Sequence, residues 1–133
     1  MIFLDCPPGI SLLSEAIFEA ADVLLTPIIP TTLSARTLHQ LQHFIAESEI
    51  KHLNLLPFFT MVDRRKKMHK DQMQSLRTEY PGLLTATIPY ASDIERMGIE
   101  RKPLACFMKN SPSNLAYQAL WQELTTQLKL SQS

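Results

Sequence analysis

Glycine is scarce in this sequence: Gly9, Gly82 and Gly98 are all that occur among 133 residues, and none stands in a Gly-x-x-x-x-Gly-Lys pattern. A loop of backbone N–H groups that cradles phosphates in that manner is therefore excluded from the chain as given. Cysteine is rarer still. Cys6 and Cys106 lie far apart, with no second thiol or histidine at metal-ligand spacing, so neither a disulfide framework nor a zinc ribbon can be built. Two free thiols in a reducing compartment are expected. Net charge is also missing, thirteen Lys plus Arg balancing thirteen Asp plus Glu. No global field draws the chain to nucleic acid or anionic lipid, and such binding would need a local patch. Long apolar runs are absent too: no window approaches the ~20 residues that span a bilayer. The amino terminus has no basic run leading into a long apolar stretch. These absences predict a soluble, cytoplasmic protein without a membrane partner.

What is present is enough apolar material, 45% of the residues, to build one buried core, and a single domain over 1–133 is expected. Met1-Ile2-Phe3-Leu4 reads as a buried strand that stops at Asp5 and empties into the stiff loop Cys6-Pro7-Pro8-Gly9. Between Ser11 and Ala21, Leu12, Leu13, Ala16, Ile17 and Ala20 recur at helical spacing. Val23 to Pro30 is a second apolar strand. Ser34 is placed to cap a longer helix whose Leu38, Leu41 and Ile45 share a face. Leu53 to Val62 is a third apolar run, with the regular strand expected mostly after Pro57, because proline cannot donate a ladder hydrogen bond. A polar helix follows from Lys67 to Tyr80, then a turn at Pro81-Gly82 and a short strand from Leu83 to Ile88. Ser92 and Glu95 have capping-box spacing, which predicts a short helix ending near Gly98. Ser111-Pro112 supplies a cap and a first-turn proline for a last helix carrying Leu115, Ala119, Leu120 and Leu124. Continuously apolar strands alternating with helices predict an α/β fold, a mostly parallel sheet with helices on both faces.

In open sheets of this type ligands gather beyond the carboxyl ends of the strands. The residues just past the strands are Asp5 to Gly9, Pro27 to Thr32, Thr60 to Arg65 and Pro89 to Asp93. An apolar strand ending in one aspartate is how P-loop NTPases hold magnesium through its water shell, and Asp5 occupies such a place. A strand-end aspartate beside a proline turn also occurs in proteins without a metal. Arg64, Arg65, Lys66 and Lys67, with Lys70 and Arg77 beyond them, form the only dense basic patch. It reads either as a solvated helix start or as a contact for nucleic-acid phosphates. His39, His43, His52 and His69 form no metal set and are expected at the surface.

The order of several motifs adds to this. Asp5-Cys6-Pro7-Pro8-Gly9 followed by Glu19-Ala20-Ala21-Asp22-Val23-Leu24-Leu25-Thr26-Pro27 resembles the Walker B segment and following strand of the ParA/MinD family of P-loop ATPases. Thr60 to Arg65 resembles that family's next strand end. Ile88-Pro89-Tyr90 with Pro103-Leu104 resembles its next segment, and Ser111-Pro112 with Ala116 to Leu124 its closing helix. The resemblance covers essentially the whole chain and implies a partial P-loop NTPase, Rossmann-like fold. It implies that Asp5 is the catalytic and metal-side carboxylate and that Pro7, Pro8 and Gly9 form the switch beside a terminal phosphate. Met61, Asp63, Pro89 and Tyr90 would lie near the base and ribose. The plainer roles are that Met61 is core, Asp63 caps the next helix and Tyr90 packs with its hydroxyl in water. The implied cofactors are ATP and Mg2+ in a full-length parent, with neither held tightly by this chain. The implied partners are an activator protein and non-specific DNA on Arg64, Arg65, Lys66 and Lys67. The departure from the family is the missing phosphate loop, which would make this a truncated product, a separate short reading frame or a fragment. Two rivals stand beside the ATPase reading. One is a non-catalytic interaction module derived from such an enzyme. The other is an electron-transfer ATPase of the nitrogenase iron-protein kind, for which Cys6 is a poor cluster ligand. The apolar Met1–Leu4 strand, lacking the neighbour that the family's phosphate-loop strand supplies, predicts self-association.

Overall fold

The structure, a computed structural model, describes residues 1–6 and 12–131. Among them the chain runs α1 (Leu12–Ala20), β1 (Val23–Ile28), α2 (Thr32–Glu47), β2 (Asn54–Val62), α3 (Lys67–Glu79), β3 (Thr87–Pro89), α4 (Ser92–Glu100), α5 (Leu104–Phe107) and α6 (Pro112–Ser131). The three strands form one sheet in the order β1-β2-β3, and both pairings are parallel. The architecture is α/β with helices flanking a parallel sheet, an arrangement compatible with a Rossmann-like fold. Two successive crossovers step in the same direction, and right-handed connections of that kind put both crossover helices on one face. The packing agrees. Leu38 of α2, Leu76 of α3 and Tyr80 just past it meet Ile28, Phe59 and Val62 in one cluster. The opposite face is covered from the end of the chain, where Leu120 and Ala116 of α6 and Ile94 of α4 pack on Leu25, Phe58 and Ile88. A third cluster joins Phe18 of α1 to Ile50, Leu53, Leu24 and the far end of α2.

Several sequence expectations are corrected. Met1–Leu4 is not a buried strand: it has no ladder partner, and its side chains are 55–87% exposed. A lone extended segment leaves its N–H and C=O groups to water, so without a neighbour it gains nothing from becoming a strand. Pro57 lies inside β2, opposite Thr26, rather than ahead of the strand. Its carbonyl accepts from the N–H of Leu84, so its nitrogen also faces that side, below the first residue of β3. No ladder acceptor waits there, and proline costs nothing at that position. β3 itself shrinks to three residues because the Leu84 carbonyl, both backbone groups of Thr85 and the Ala86 N–H are held by side chains instead. The Glu123 carboxylate accepts from the N–H groups of Thr85 and Ala86 at 2.7 and 2.8 Å. Arg77 donates to the carbonyls of Leu84 and Thr85 and lies over the ring of Phe59, so it takes no part in a surface basic patch.

Helix ends also shift. Thr31, not Ser34, caps α2, its Oγ1 accepting from the Ser34 N–H. α4 continues through Gly98 to Glu100 and ends on Arg101 in the left-handed region at φ 48. Ser111 caps α6 as expected, accepting from the N–H of Asn114. On α1 the inward residues are Ser14, Ile17 and Phe18, while Ala16 and Ala20 are exposed. On α6, Leu120 and Leu124 are buried but Leu115 and Ala119 face outward.

Candidate functional site

The carboxyl end of β2 is shaped by one irregularity. Pairing with β3 runs Phe59 to Thr87 and Val62 to Pro89, with a register shift between, and Met61 sits in the left-handed region at φ 52. A strand alternates its side chains, so Phe59 and Val62 belong on opposite faces unless an extra residue intervenes. Met61 is that residue. It lets Val62 join Phe59 in the core and leaves its own side chain 45% exposed at the sheet rim.

Beyond the bulge the two strand ends are locked together. The N–H of Tyr90 donates to the carbonyl of Val62, which seats Pro89-Tyr90 directly beside Asp63. Asp63 accepts from the Arg65 backbone N–H at 3.0 Å and from the guanidinium at 3.0 and 3.1 Å. Those bonds hold its carboxyl down to about 2, from an ordinary value of 3.8. The Asp63 N–H donates to Nδ1 of His69 at 3.1 Å, which requires the imidazole to carry its proton on Nε2 when neutral. His69 is buried at 4% exposure, against the expectation of a surface histidine; His39, His43 and His52 are at the surface. Nothing in sequence spacing marks His69, because the donor it serves is a backbone amide.

A cleft of about 540 Å3 opens here, lined by Val62, Asp63, Arg64, His69, Lys70, Met73 and Thr87. Its rim is basic. Arg64, Arg65, Lys66, Lys67 and Lys70 are all exposed, but Arg65 is committed to Asp63. The other four have no ion pair among the described residues. α3 begins without a side-chain cap, so its first N–H groups also point outward. Tyr90 is 53% exposed, its ring at the surface beyond β3.

Of the sequence candidates, Met61, Asp63, Pro89 and Tyr90 are thus brought together at one rim, and Arg64, Lys66 and Lys67 border it. Asp5 is exposed on a segment outside the sheet. Pro7, Pro8 and Gly9 lie outside the described residues. Among the described residues no three His, Cys, Asp or Glu side chains gather into a metal-binding group. One exposed carboxylate is not a magnesium site by itself, since Mg2+ is held through one or two carboxylates together with phosphate oxygens and water. Asp63 is engaged by Arg65 and does not supply a second.

A second polar cluster ties α4 to α6. Ser113 Oγ donates to Asp93 Oδ1 at 2.7 Å, and Asn114 Nδ2 donates to the Lys109 carbonyl at 2.7 Å. Burial pushes the Asp93 carboxyl up, but hydrogen bonds from Ser113, Ser111 and the Ile94 N–H outweigh it and leave it below the ordinary value. This cluster positions the segment after β3. No helix among the described residues is long and apolar enough to cross a membrane.

No protein-family model matches the chain. It is 24% identical over 127 residues to "Uncharacterized protein MJECL24" of Methanocaldococcus jannaschii, a match covering 90% of this chain and 48% of that one. The chain thus spans about half the length of this relative.

Proposed function

We propose that the chain is the carboxy-terminal part of a ParA/MinD-type ATPase, carrying the base side of a nucleotide site but not its phosphate grip. The supporting observation is the convergence at the sheet rim. Met61 and Asp63 at the end of β2 and Pro89-Tyr90 at the end of β3 are far apart in sequence, and the Tyr90 N–H to Val62 carbonyl bond brings them together. Exposed Met61 and Tyr90 offer polarizable surface to a planar base, and the unpaired cations nearby suit an anionic ligand. In such a parent, cycles of ATP binding and hydrolysis switch a dimer that serves chromosome or plasmid partitioning, or the positioning of a cellular machine. This chain alone carries no turnover.

The test is NMR titration of the 133-residue protein with adenosine and, separately, ATP. The expected result is millimolar shifts confined to Met61, Asp63 and Tyr90, with ATP gaining little over adenosine. Micromolar ATP affinity would contradict the missing phosphate grip, and the absence of adenosine shifts at those residues would remove the base site.

The same rim favours DNA as a second ligand of the site. Arg64, Lys66, Lys67 and Lys70 are exposed together beside the uncapped start of α3, which suits phosphate contacts without base readout.

A further inference from the structure

Among the described residues His69 is the one buried imidazole, and only one of its two ring nitrogens is engaged. Nδ1 accepts the Asp63 N–H, which leaves the proton of the neutral ring on Nε2. Nε2 makes no hydrogen bond among the described residues, and yet it is not sealed in: Thr26 Oγ1 is the one enclosed side-chain polar atom without a partner there. The Nε2–H thus opens onto the cleft of about 540 Å3 that His69 lines. A donor so deeply set, with its proton placed by a main-chain group behind it, calls for an acceptor in the cleft. A metal ion does not suit that nitrogen, because a protonated Nε2 has no lone pair to give.

The rest of the lining sets the sign of that acceptor. Arg64 and Lys70 border the recess, both exposed and neither in an ion pair among the described residues. Asp63 is the one acid in the lining, and Arg65 takes both of its carboxylate oxygens. Two free cations and one neutral N–H therefore face a space in which no acidic group is left to meet them. Val62 and Met73 supply apolar wall beside these donors. The volume falls within the roughly 300–1,000 Å3 of small-molecule sites, which leaves room for an anion together with a small body attached to it.

We propose that the cleft over His69 seats the terminal phosphate of a small phosphomonoester. At neutral pH such a group carries a charge of about −1.5 to −2 and three strong acceptor oxygens, which matches two cations and three separate donor side chains. A carboxylate brings one charge and two oxygens, and it leaves one of those donors unmet. A phosphodiester in duplex DNA also carries a single charge and is flanked by nucleosides on both sides, so it stays at the rim and does not reach the recessed Nε2. The site goes beyond the nucleotide and DNA readings: it needs neither a base on Met61 and Tyr90 nor a duplex on Lys66 and Lys67.

The experiment is NMR titration of the full chain with glycerol phosphate at fixed ionic strength, reading the backbone amides and the His69 ring nitrogens. The expected result is a saturable shift at Asp63, His69 and Lys70 with a Kd of about 1 mM, a moved Nε2–H resonance, and acetate at least about tenfold weaker. Lys70→Gln should weaken binding about tenfold. Lys51→Gln, the same loss of charge at an exposed position ahead of the amino end of β2, should not. His69→Asn keeps an acceptor near the place of Nδ1 for the Asp63 N–H and removes the inner donor, so it should also cost at least about tenfold, with the fold checked by circular dichroism. If that variant unfolds, the Nε2–H resonance of the wild type decides in its place. Shifts that do not saturate, a loss as large in Lys51→Gln as in Lys70→Gln, an unmoved Nε2–H, or acetate binding equally well would each overturn the proposal. So would a DNA duplex that moves the Nε2–H as far as glycerol phosphate does, since a phosphodiester would then be the occupant. Adenosine shifts at Met61 and Tyr90, present or absent, bear on the base site alone.

Discussion

Asp63 shows how the position of one residue can be legible while its surroundings are not. Sequence spacing locates it past a strand end, but the guanidinium that binds it comes from Arg65, two residues on, which by sequence alone belongs to a basic patch. The depressed carboxyl makes a pH prediction. Its folded-state value of about 2 lies below its ordinary value of 3.8, so the stabilisation it gives is complete above the ordinary value and is lost as pH falls through about 2. Arg65→Ala should raise the Asp63 midpoint toward the ordinary range, measured by NMR titration; an unmoved midpoint would assign the shift to the backbone N–H alone. Met61 is identifiable from its place in the strand, yet its exposure comes from a left-handed conformation that no propensity reveals. Replacing it with a β-branched residue should be costly there. Met61→Val is expected to destabilise by about 1–2 kcal/mol relative to Met61→Gly in urea titrations, and equal stabilities would contradict the bulge.

Elements are legible where local chemistry decides and illegible where tertiary partners do. The Ser111-Pro112 start of α6 is readable because cap and first-turn proline act within a single helical turn. The ends of β3 are not, since Glu123 and Arg77 take over the backbone groups of Leu84 to Ala86 from 37 residues and 7 residues away. Glu123→Ala should strand two N–H groups and cost about 1–3 kcal/mol, checked by chemical denaturation; a loss below experimental error would mean that water replaces the carboxylate. Pro57 misleads because its side of the strand, which decides whether a missing N–H matters, is invisible in one dimension. Gly98 reads as a helix end, but it lies inside α4, and a Cβ added there meets nothing within 4 Å. Gly98→Ala should therefore raise stability by about 0.8–1 kcal/mol in thermal or urea melts, and a decrease would place a neighbour where none is seen.

At the scale of the molecule, the alternation of apolar strands and helices is sufficient for a parallel sheet covered on both faces. What it cannot supply is the fate of Met1–Leu4, because being a strand depends on a neighbour. If the basic rim beside Asp63 meets DNA, Arg64→Ala with Lys67→Ala should weaken duplex binding equally at all sequences. It should also reduce the slope of log affinity against log salt by about 1 for each phosphate no longer neutralised, read by fluorescence anisotropy. An unchanged slope would leave those cations as a solvated helix start. The sheet order has a consequence for how the chain acquires its fold. Strand order follows chain order, so each pairing closes a loop of moderate length and β1, β2 and β3 can assemble in the sequence in which they are synthesised. The face bearing Leu25, Phe58 and Ile88 waits longer, because its main cover, α6, comes last among the described helices. Until the twenty residues of α6 are available, that face has only Ile94 of α4 to cover it, and it is what a ribosome-associated holdase would find.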